Sequence, residues 1–209
     1  MGRPTKHDAG TRTALLDAAE SLLARGGPDA VSVRAVADAI DASTRAVYAV
    51  FGSKDALLAG LAARGFQYLA DLVDAAETTD DPVADLVGIG VGGFRKFAVG
   101  RPHLFRITFD GRNAELIRRP EVTPQLQRAL AGLMARVERA RASRGAVTTP
   151  SLELAYMFHA TCHGLAANEL SRSVPPVGVG MWPMTSEWDM AGLWAATLDA
   201  LVRGLLDRG

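Results

Sequence analysis

The sequence predicts an all-α protein with a short helical domain at its N-terminus and a longer helical domain behind it. Three observations support this prediction. Apolar residues recur at steps of three and four through successive segments, as one face of an α-helix requires. Serine, glycine and proline interrupt these segments at positions typical of helix caps and helix ends. Near the N-terminus, two short amphipathic segments are separated by a turn of about three residues.

Composition narrows the classes of protein that fit this chain. Apolar residues make up 48% of its 209 residues, which is ample for a packed core. The 23 basic and 23 acidic residues balance, and the first 60 residues hold seven of each, so binding to nucleic acid must come from local placement of charge. The single cysteine, Cys162, excludes an internal disulfide and suits a reducing cytoplasm. No signal peptide is visible and no apolar run approaches the ~20 residues of a membrane span, so we expect a cytoplasmic protein without a membrane partner.

The N-terminal segment from Met1 to Ala9 is polar and is predicted to be an arm. Arg3 and Lys6 of this arm can reach a DNA backbone or minor groove if the helices behind it bind DNA. The alternative is an ordinary disordered terminus. The first helix is expected from Thr11 to Arg25, where the sequence GGP stops it.

The segment from Val31 to Leu58 has the layout of a helix-turn-helix followed by a longer helix. Ser32 is placed to cap the first short helix and Ser43 the second, which Gly52 ends. Asp41 stands in the turn between them. Two short helices joined by such a turn cross steeply, so the second can protrude while the first braces it.

The outward residues of the second short helix are suited to DNA. Thr44, Arg45, Tyr48 and Ala49 are small or hydrogen-bonding residues near its N-terminus. An arginine in this place can pair with both acceptors on a guanine edge, and a tyrosine hydroxyl can bond a phosphate. Lys54 lies at the start of the next helix, where backbone amides also favour phosphate. The pattern therefore predicts DNA binding, against the alternative of a plain helical subdomain with solvated charges.

Residues 11 to 58 resemble the N-terminal domain of the TetR family of bacterial transcriptional regulators. The residues that carry the resemblance are Val33-Arg34, Val36-Ala37, Ser43, Val47-Tyr48, Phe51, Lys54 and Leu57-Leu58. The chain departs from the family at Asp41, where a glycine is usual. Aspartate tolerates a left-handed backbone better than most residues, so we expect the turn to persist with some strain.

The resemblance also implies a role for each residue. It places Thr44, Arg45 and Ala49 against bases, Arg34 against a base edge or a phosphate, and Tyr48 and Lys54 against phosphates. Direct readout then depends mainly on Arg45. The full set of predicted DNA-binding residues is Arg3, Lys6, Arg34, Ser43, Thr44, Arg45, Tyr48, Ala49 and Lys54.

Residues 54–209 are predicted to form a helical ligand-binding and dimerisation domain, behind a DNA-binding domain and arm of residues 1–53. The glycines between Leu86 and Gly100 do not indicate a dinucleotide loop, because no strand precedes them, so close packing or a cavity explains them better. The last helix, from about Trp188 to Asp207, has an apolar stripe wide enough for a four-helix dimer interface. The segment His163-Gly164-Leu165 is similar to the WHG type of the family's C-terminal domain, although no tryptophan stands just before His163.

Aromatic and sulfur side chains recur through this second domain. Most are expected to be ordinary core, but the resemblance implies that some line an apolar pocket for an apolar or aromatic small-molecule inducer. The candidate ligand-binding residues are Phe66, Phe94, Phe97, Phe105, Phe109, Met134, Phe158, His159, Cys162 and His163.

Two alternatives to a regulator remain open from the sequence. His159 and His163 share a helix face at a spacing that can bind zinc, which would suit a metal-dependent enzyme. The glutamate of a His-Glu-x-x-His hydrolase is missing, however, and a third ligand such as His103 cannot be placed, so we predict no enzyme, metal or cofactor. The second alternative is a helical interaction module without DNA binding. The preferred prediction is a homodimeric repressor that leaves a palindromic double-stranded operator when a ligand binds.

Overall fold

A computed structural model describes residues 6–109, 114–145, 147–171 and 188–207 of the chain, apart from the side chains of residues 6–9 and 114. Over these ranges the protein forms helices and no strand, which confirms the predicted all-α fold. Residues 173–187, which the sequence predicts to be a loop of fifteen residues, lie outside the described part of the chain, as does Arg3.

The described residues form eleven α-helices, with a 3-10 turn at Pro28–Ala30 and a π-helical segment at Ile89–Arg95. The α-helices are α1 Lys6–Gly26, α2 Val33–Asp38, α3 Thr44–Phe51, α4 Lys54–Asp74, α5 Pro82–Gly88, α6 Lys96–Gly100, α7 Pro102–Phe109, α8 Ala114–Ile117, α9 Thr123–Ala142, α10 Ser151–Ser171 and α11 Met190–Leu206.

The structure differs from the sequence predictions at three places along the chain. The glycine-rich helix expected from residue 86 starts at Pro82 and is interrupted by the π-helical segment. The sequence predicts no helix between residues 113 and 123, but the structure has the short helix α8 there. The arm predicted to reach Ala9 is also too long, since α1 already begins at Lys6.

The chain divides into two compact units, each made from two stretches of sequence. The first unit comprises Met1–Gln67 and Arg101–Gln127, and the second comprises Tyr68–Gly100 and Arg128–Gly209. The functional domain boundary between residues 53 and 54 stays a prediction.

Serine caps set the starts of three helices in the first unit. The Oγ atoms of Ser32, Ser43 and Ser53 each accept a hydrogen bond from a backbone N–H three residues later, at 3.1, 3.2 and 3.1 Å. Such bonds satisfy amides that the helix itself leaves without partners, and each stabilises a helix by about 1 kcal/mol. Gly52, at φ 75°, ends α3 in a left-handed backbone that side chains other than hydrogen disfavour.

Helix α1 is the element that the rest of the first unit packs around. It contacts α2, α3, α7 and the 3-10 turn. Leu15 and Leu23 of α1 are fully buried, as are Val36 of α2 and Val47 of α3. Burial of one such side chain is worth about 1.5–3 kcal/mol, so this packing holds α2 and α3 in place.

The turn between α2 and α3 has the left-handed residue that the sequence predicted. Asp41 has φ 52° and is the one non-glycine residue with positive φ among those described. The N–H of Ala42 donates to the carbonyl of Ala37 at 2.9 Å, which closes the turn behind α2. Aspartate is therefore tolerated in the place of the family's glycine, as expected.

The second unit contains a buried ion cluster that the sequence did not predict. The Asp85 carboxylate accepts hydrogen bonds from Arg139 at 2.7 Å and from the backbone N–H of Thr79 at 2.9 Å. Burial raises the pKa of Asp85, but the bonds from Arg139 and Thr79 outweigh it and lower the pKa to about 2. Arg136 donates to the carbonyls of Glu77 and Ala76, both at 2.8 Å, so α9 holds the segment that follows α4.

The glycine-rich segment packs closely at one position. A Cβ on Gly90 would lie 2.3 Å from Leu198 Cδ1 of α11 and 3.1 Å from Phe158 Cζ of α10. Close packing thus explains Gly90, as predicted. It does not explain Gly88 or Gly92, which have open space around them.

Within the described ranges, no single helix is long and apolar enough to cross a membrane. The pair α3 and α4, bent by 65°, meets the length and composition requirement jointly. Val47, Phe51 and Leu57 of this pair are buried in the protein.

Asp41 and Asp38 form a matched pair for testing the left-handed turn. Both are exposed, but Asp38 ends α2 in helical backbone. At position 41, glycine should be more stable than alanine by about 1 kcal/mol, because a Cβ is strained at φ 52°. At position 38 the order should reverse, with glycine less stable by about 0.5–1 kcal/mol. Urea denaturation of the four variants measures their free energies of unfolding. The same order of stability for glycine and alanine at both positions would contradict the left-handed conformation of Asp41.

Candidate functional site

The outer face of α3 carries the side chains that the sequence proposed for DNA. Thr44, Arg45, Tyr48 and Ala49 are all exposed, and the large Tyr48 side chain is 52% exposed. The inner face of the same helix carries Val47, which is buried in the core. Helical periodicity therefore separates a packed face from a solvent-exposed face with hydrogen-bonding groups.

The junction between α3 and α4 adds a second group of donors. Lys54 is exposed at the first position of α4, directly after the capping residue Ser53. The amides at a helix N-terminus carry partial positive charge, so an anion placed there meets both the helix end and the lysine. None of the described residues forms an ion pair or hydrogen bond with Lys54 or Arg45.

Arg34, at the start of α2, is also available to a ligand. Its side chain is 88% exposed, and its Nε lies 3.8 Å from Asp38. An exposed pair of this kind contributes about 0–1 kcal/mol, so it offers little resistance to exchange for a phosphate.

The neutral charge count of the first 60 residues conceals a local excess of positive charge. Asp17 pairs with Arg64 at 2.6 Å. Glu20 pairs with both Arg64 at 3.2 Å and Arg101 at 2.5 Å. Because Arg64 and Arg101 come from later in the chain, two of the seven acidic residues are neutralised from outside the segment. This leaves Arg45 and Lys54 with less acidic competition than the count suggests.

Two residues of the predicted set lack a described position. Arg3 lies outside the described residues, and the side chain of Lys6 does too, although its backbone begins α1. The other seven predicted residues are all exposed on α2, at the start of α3 or along it, and at the start of α4: Arg34, Ser43, Thr44, Arg45, Tyr48, Ala49 and Lys54.

The candidate ligand-binding residues fall into two groups, one within each unit. In the first unit, the Phe109 ring packs against Phe66 at 5.4 Å and Phe105 at 5.0 Å between centroids. The second unit brings Phe94 to His159 at 5.4 Å, edge to face. His163 lies next along α10, with its ring centroid 6.2 Å from that of His159.

Other members of the set have different neighbours. Phe97 packs against Tyr68 at 5.4 Å, a contact that spacing alone did not predict. Phe158 and Cys162 lie against Gly90 of the π-helical segment. Met134 is half-buried on α9. The structure therefore brings Phe158, His159 and Cys162 to the π-helical segment that carries Phe94, with His163 beside His159 on α10.

The two histidines of α10 differ in their surroundings. Burial lowers the pKa of His159, and the neighbouring His163 lowers it further. A neutral imidazole can donate one hydrogen bond and accept another. Within the described ranges, no group of three or more His, Cys, Asp or Glu residues lies close enough to hold a metal ion.

Cys162 is buried, with 1% of its surface exposed. Burial raises the pKa of its thiol to about 12. The thiolate is the reactive form of cysteine, so this side chain acts as a small apolar core residue at neutral pH.

Two regions of the chain match models of known protein families. Residues 15–61 match the model of the TetR family of bacterial regulatory proteins, and residues 90–180 match that of the tetracyclin repressor-like C-terminal domain. The WHG type of the C-terminal domain stays a prediction. No curated protein matches the sequence significantly.

Solved structures with similar folds cover almost the whole chain. One is a protein of unknown function from Rhodococcus sp. RHA1, at 23% identity, covering 93% of this chain and 94% of that one with a TM-score of 0.75. The TetR family transcriptional regulator PfmR from Thermus thermophilus has 21% identity, coverage of 91% and 98%, and a TM-score of 0.62. The multidrug binding protein EbrR complexed with imidazole has 23% identity, coverage of 95% and 93%, and a TM-score of 0.63. At these identities the likeness establishes the fold.

The burial of Cys162 can be checked by its reactivity. At pH 8 we expect the native protein to react with a thiol reagent at least about a hundredfold more slowly than the same protein unfolded in guanidinium, because the buried thiol stays protonated. Because the pKa of the native thiol is about 12, the native rate should keep rising with pH up to that value, whereas the rate of the unfolded protein should level off near the ordinary thiol pKa of about 8.5. Since Cys162 is the chain's single cysteine, the absorbance change reports this site alone. Equal rates in the native and unfolded protein would contradict the assignment.

Proposed function

Because this chain belongs to the TetR family of bacterial regulatory proteins, we propose that it is a transcriptional repressor that a small-molecule ligand releases from a palindromic operator. Membership of the family makes the protein a DNA-binding transcriptional regulator with a helix-turn-helix. The observation that carries the proposal is the exposed outer face of α3, on which Arg45 has no ion pair or hydrogen bond with any described residue. Such a regulator acts in the cytoplasm, where bacterial DNA lies.

In the proposed complex, α3 lies in the major groove and α2 braces it. Arg45, together with Thr44 and Ala49, faces the bases, and its guanidinium can pair with both acceptors of a guanine. Tyr48 and Lys54 bond phosphates. These contacts position the protein along the DNA without reading its sequence.

Two further residues complete the proposed contact. Arg34 approaches a base edge or a phosphate from the start of α2, where its weak pair with Asp38 costs little to break. Ser43 caps α3 through Ala46 N–H and so presents the helix N-terminus to the DNA.

The operator and the role of Arg45 can be tested together. Selection from random duplex DNA should enrich a palindrome with half-sites roughly one helical turn apart. Arg45→Ala should then reduce discrimination between the operator and single-base variants by roughly tenfold or more, because a bidentate pair to a base is lost. Anisotropy titrations measure both affinities, and circular dichroism checks that the variant is folded.

The control is Arg25→Ala, which removes the same charge from an exposed position in the last turn of α1. It should leave discrimination unchanged. Absence of any enriched palindrome would refute the repressor proposal, whereas unchanged discrimination in Arg45→Ala would refute only the assigned reading residue.

A dimer is needed to read a palindrome, and helices α10 and α11 support the proposal that they form it. The two helices run antiparallel, because the Thr149 hydroxyl donates to the carbonyl of Leu205 at 3.3 Å and Trp194 Nε1 donates to Glu169 at 2.9 Å. The apolar stripe predicted for α11 is divided by the fold. Its buried members, packed within the chain, are Trp194, Leu198, Val202 and Leu205.

The exposed faces of these helices are small and uncharged along most of their length. On α11 the exposed stripe is Leu193, Ala196, Thr197, Ala200 and Gly204, and on α10 it is Tyr156, Ala160, Gly164 and Ala167. Tyr156 is 71% exposed and Leu193 is 37% exposed. Exposed apolar surface without charge is typical of a protein interface, and small residues allow two helices to approach closely. These stripes favour a four-helix contact between two copies.

Introducing a charge on this face tests the dimer. Ala160→Glu and Ala196→Glu should each weaken dimerisation at least about tenfold, because a two-fold contact brings the two new carboxylates into one desolvated surface. Ala131→Glu on α9 is the control, since Ala131 is exposed on a helix outside the stripes. Light scattering should give a dimer of 22.1 kDa chains for the wild type and the control. Dimers that persist in both test variants would contradict the proposed interface.

The proposed ligand site lies in the second unit, beside the π-helical segment. Phe94 supplies an aromatic ring and the neutral His159 supplies a donor and an acceptor, with His163 one turn further along α10. This combination suits a small apolar or aromatic molecule with a polar group. The solved EbrR structure holds imidazole, a small aromatic molecule, which is consistent with this class of ligand.

Release from DNA follows if the ligand favours a protein state that binds DNA weakly. The ligand weakens DNA binding by its own difference in affinity for the two states, and DNA weakens ligand binding by the same factor. A coupling free energy of about 1–3 kcal/mol between ligand binding and DNA binding is therefore enough for such regulation.

A further inference from the structure

Arg12 lies on α1 and is not among the predicted DNA-binding residues, yet it touches the end of α3. Its guanidinium carbon is 4.5 Å from the centroid of the Phe51 ring. Phe51 is the last residue of α3. The contact is of the cation–π type, in which a guanidinium plane covers an aromatic face.

The Phe51 ring is a fixed platform for this contact. It is 8% exposed, and its Cε1 atom lies 3.5 Å from the place that a Cβ on Gly60 of α4 would occupy. The ring thus packs against α4 as well as α1. Directly after it come Gly52, which ends α3, and Ser53, which caps α4. Arg12 is therefore held beside the α3–α4 junction.

The donors of Arg12 are not used by the described part of the protein. No carboxylate or carbonyl among the described residues pairs with Arg12, whereas Arg64 and Arg101 in the same unit are both engaged with Glu20. Stacking occupies the face of a guanidinium and leaves its in-plane N–H groups free to donate. Asp17, the next acidic residue along α1, is paired with Arg64. Arg12 can therefore donate two parallel hydrogen bonds to an incoming anion.

We propose that Arg12, held in place on the Phe51 ring, is a ligand of an operator phosphate. This inference rests on the proposed function. Tyr48 stands three residues before Phe51 and Lys54 three residues after it, and both are proposed phosphate contacts. Arg12 adds a third phosphate ligand at the same junction from a different helix.

The stacking matters for affinity as well as for position. A free arginine loses side-chain conformational freedom when it binds, and this loss opposes binding. Arg12 has already lost part of that freedom on the Phe51 ring, so less remains to be lost when it meets the phosphate. A lysine at this position would keep the charge but lose the planar fork and much of the stacking.

The test is the salt dependence of binding to the selected operator, over a range of roughly 50 to 200 mM salt. Arg12→Met keeps an unbranched stem over Phe51 and removes the charge. For a dimer with two copies of Arg12, we expect the slope of log K against log salt to become shallower by about 1.8, or roughly 0.9 for each lost phosphate contact. Affinity near the middle of that range should fall on the order of tenfold, and equally for the operator and a scrambled duplex.

Two further variants make the measurement specific. Arg12→Lys should keep the wild-type slope and bind a few-fold more weakly, because charge is retained and the fork is lost. Arg25→Met is the matched control, since Arg25 is exposed on the same helix and none of the described residues pairs with it. Its slope and affinity should equal those of the wild type. Thermal unfolding of each variant confirms that the proteins compared are folded.

The outcomes separate this inference from the proposed function. If the wild-type protein selects no operator, the proposed function is refuted, and the phosphate contact of Arg12 that rests on it is refuted as well. If the wild type binds an operator but Arg12→Met keeps its salt slope, the phosphate contact is refuted. A loss of discrimination as large as that of Arg45→Ala would also refute it, because a phosphate contact carries no sequence information.

Discussion

The left-handed backbone at Asp41 is the constraint on which the DNA-binding half of this protein depends. At φ 52° the chain leaves α2, closes on the carbonyl of Ala37 through Ala42 N–H, and enters α3 at the cap of Ser43. A non-glycine residue in this conformation costs on the order of 1 kcal/mol. The buried side chains on either side of the turn, such as Val36 and Val47, contribute more than that. Packing therefore enforces the turn, and the turn directs the outer face of α3 toward solvent.

Local pairing of charge explains how a neutral chain can bind DNA. Glu20 is bonded to Arg64 and Arg101, and Asp17 to Arg64, so acidic groups on α1 are matched within the fold. Arg45 and Lys54 have no such match among the described residues and stand on exposed helix ends or faces. Electrostatic attraction for a phosphate backbone depends on this local arrangement and not on the sum of charges. A basic overall charge is therefore not required for the function that we propose.

In the second unit, hydrogen bonds and ion pairs to a buried carboxylate hold distant segments together. Asp85 stays ionised down to about pH 2, because its bonds from Arg139 and Thr79 outweigh the cost of burial. With Arg136 it fixes the segment after α4 against α9. Gly90 allows the π-helical segment to approach α10 and α11 more closely than a side chain would permit. π-helical turns occur often at functional sites, and this one carries the phenylalanine of the proposed ligand site.

The sequence alone determined the features that depend on short-range chemistry. The serine caps, the glycine that ends α3 and the left-handed residue at position 41 follow from bonds between residues at most five apart. The periodicity of apolar residues located most helices for the same reason. The outward face of α3 could be predicted because a helix repeats every 3.6 residues. Once Val47 is assigned to the core, the residues of α3 that face solvent follow.

Only the tertiary structure decided which distant residues meet. Arg12 on Phe51, Arg139 on Asp85 and Phe94 against His159 join residues 39, 54 and 65 positions apart, and spacing within one helix contains no information about such pairs. The sequence of α11 likewise shows a wide apolar stripe. It does not show which residues of that stripe the rest of the chain buries and which stay exposed. Long-range contacts depend on how helices cross and on which volumes fill the space between them. For that reason the exposed face of α3 could be predicted from the sequence, whereas the neighbours of the candidate ligand residues and the position of Arg12 could not.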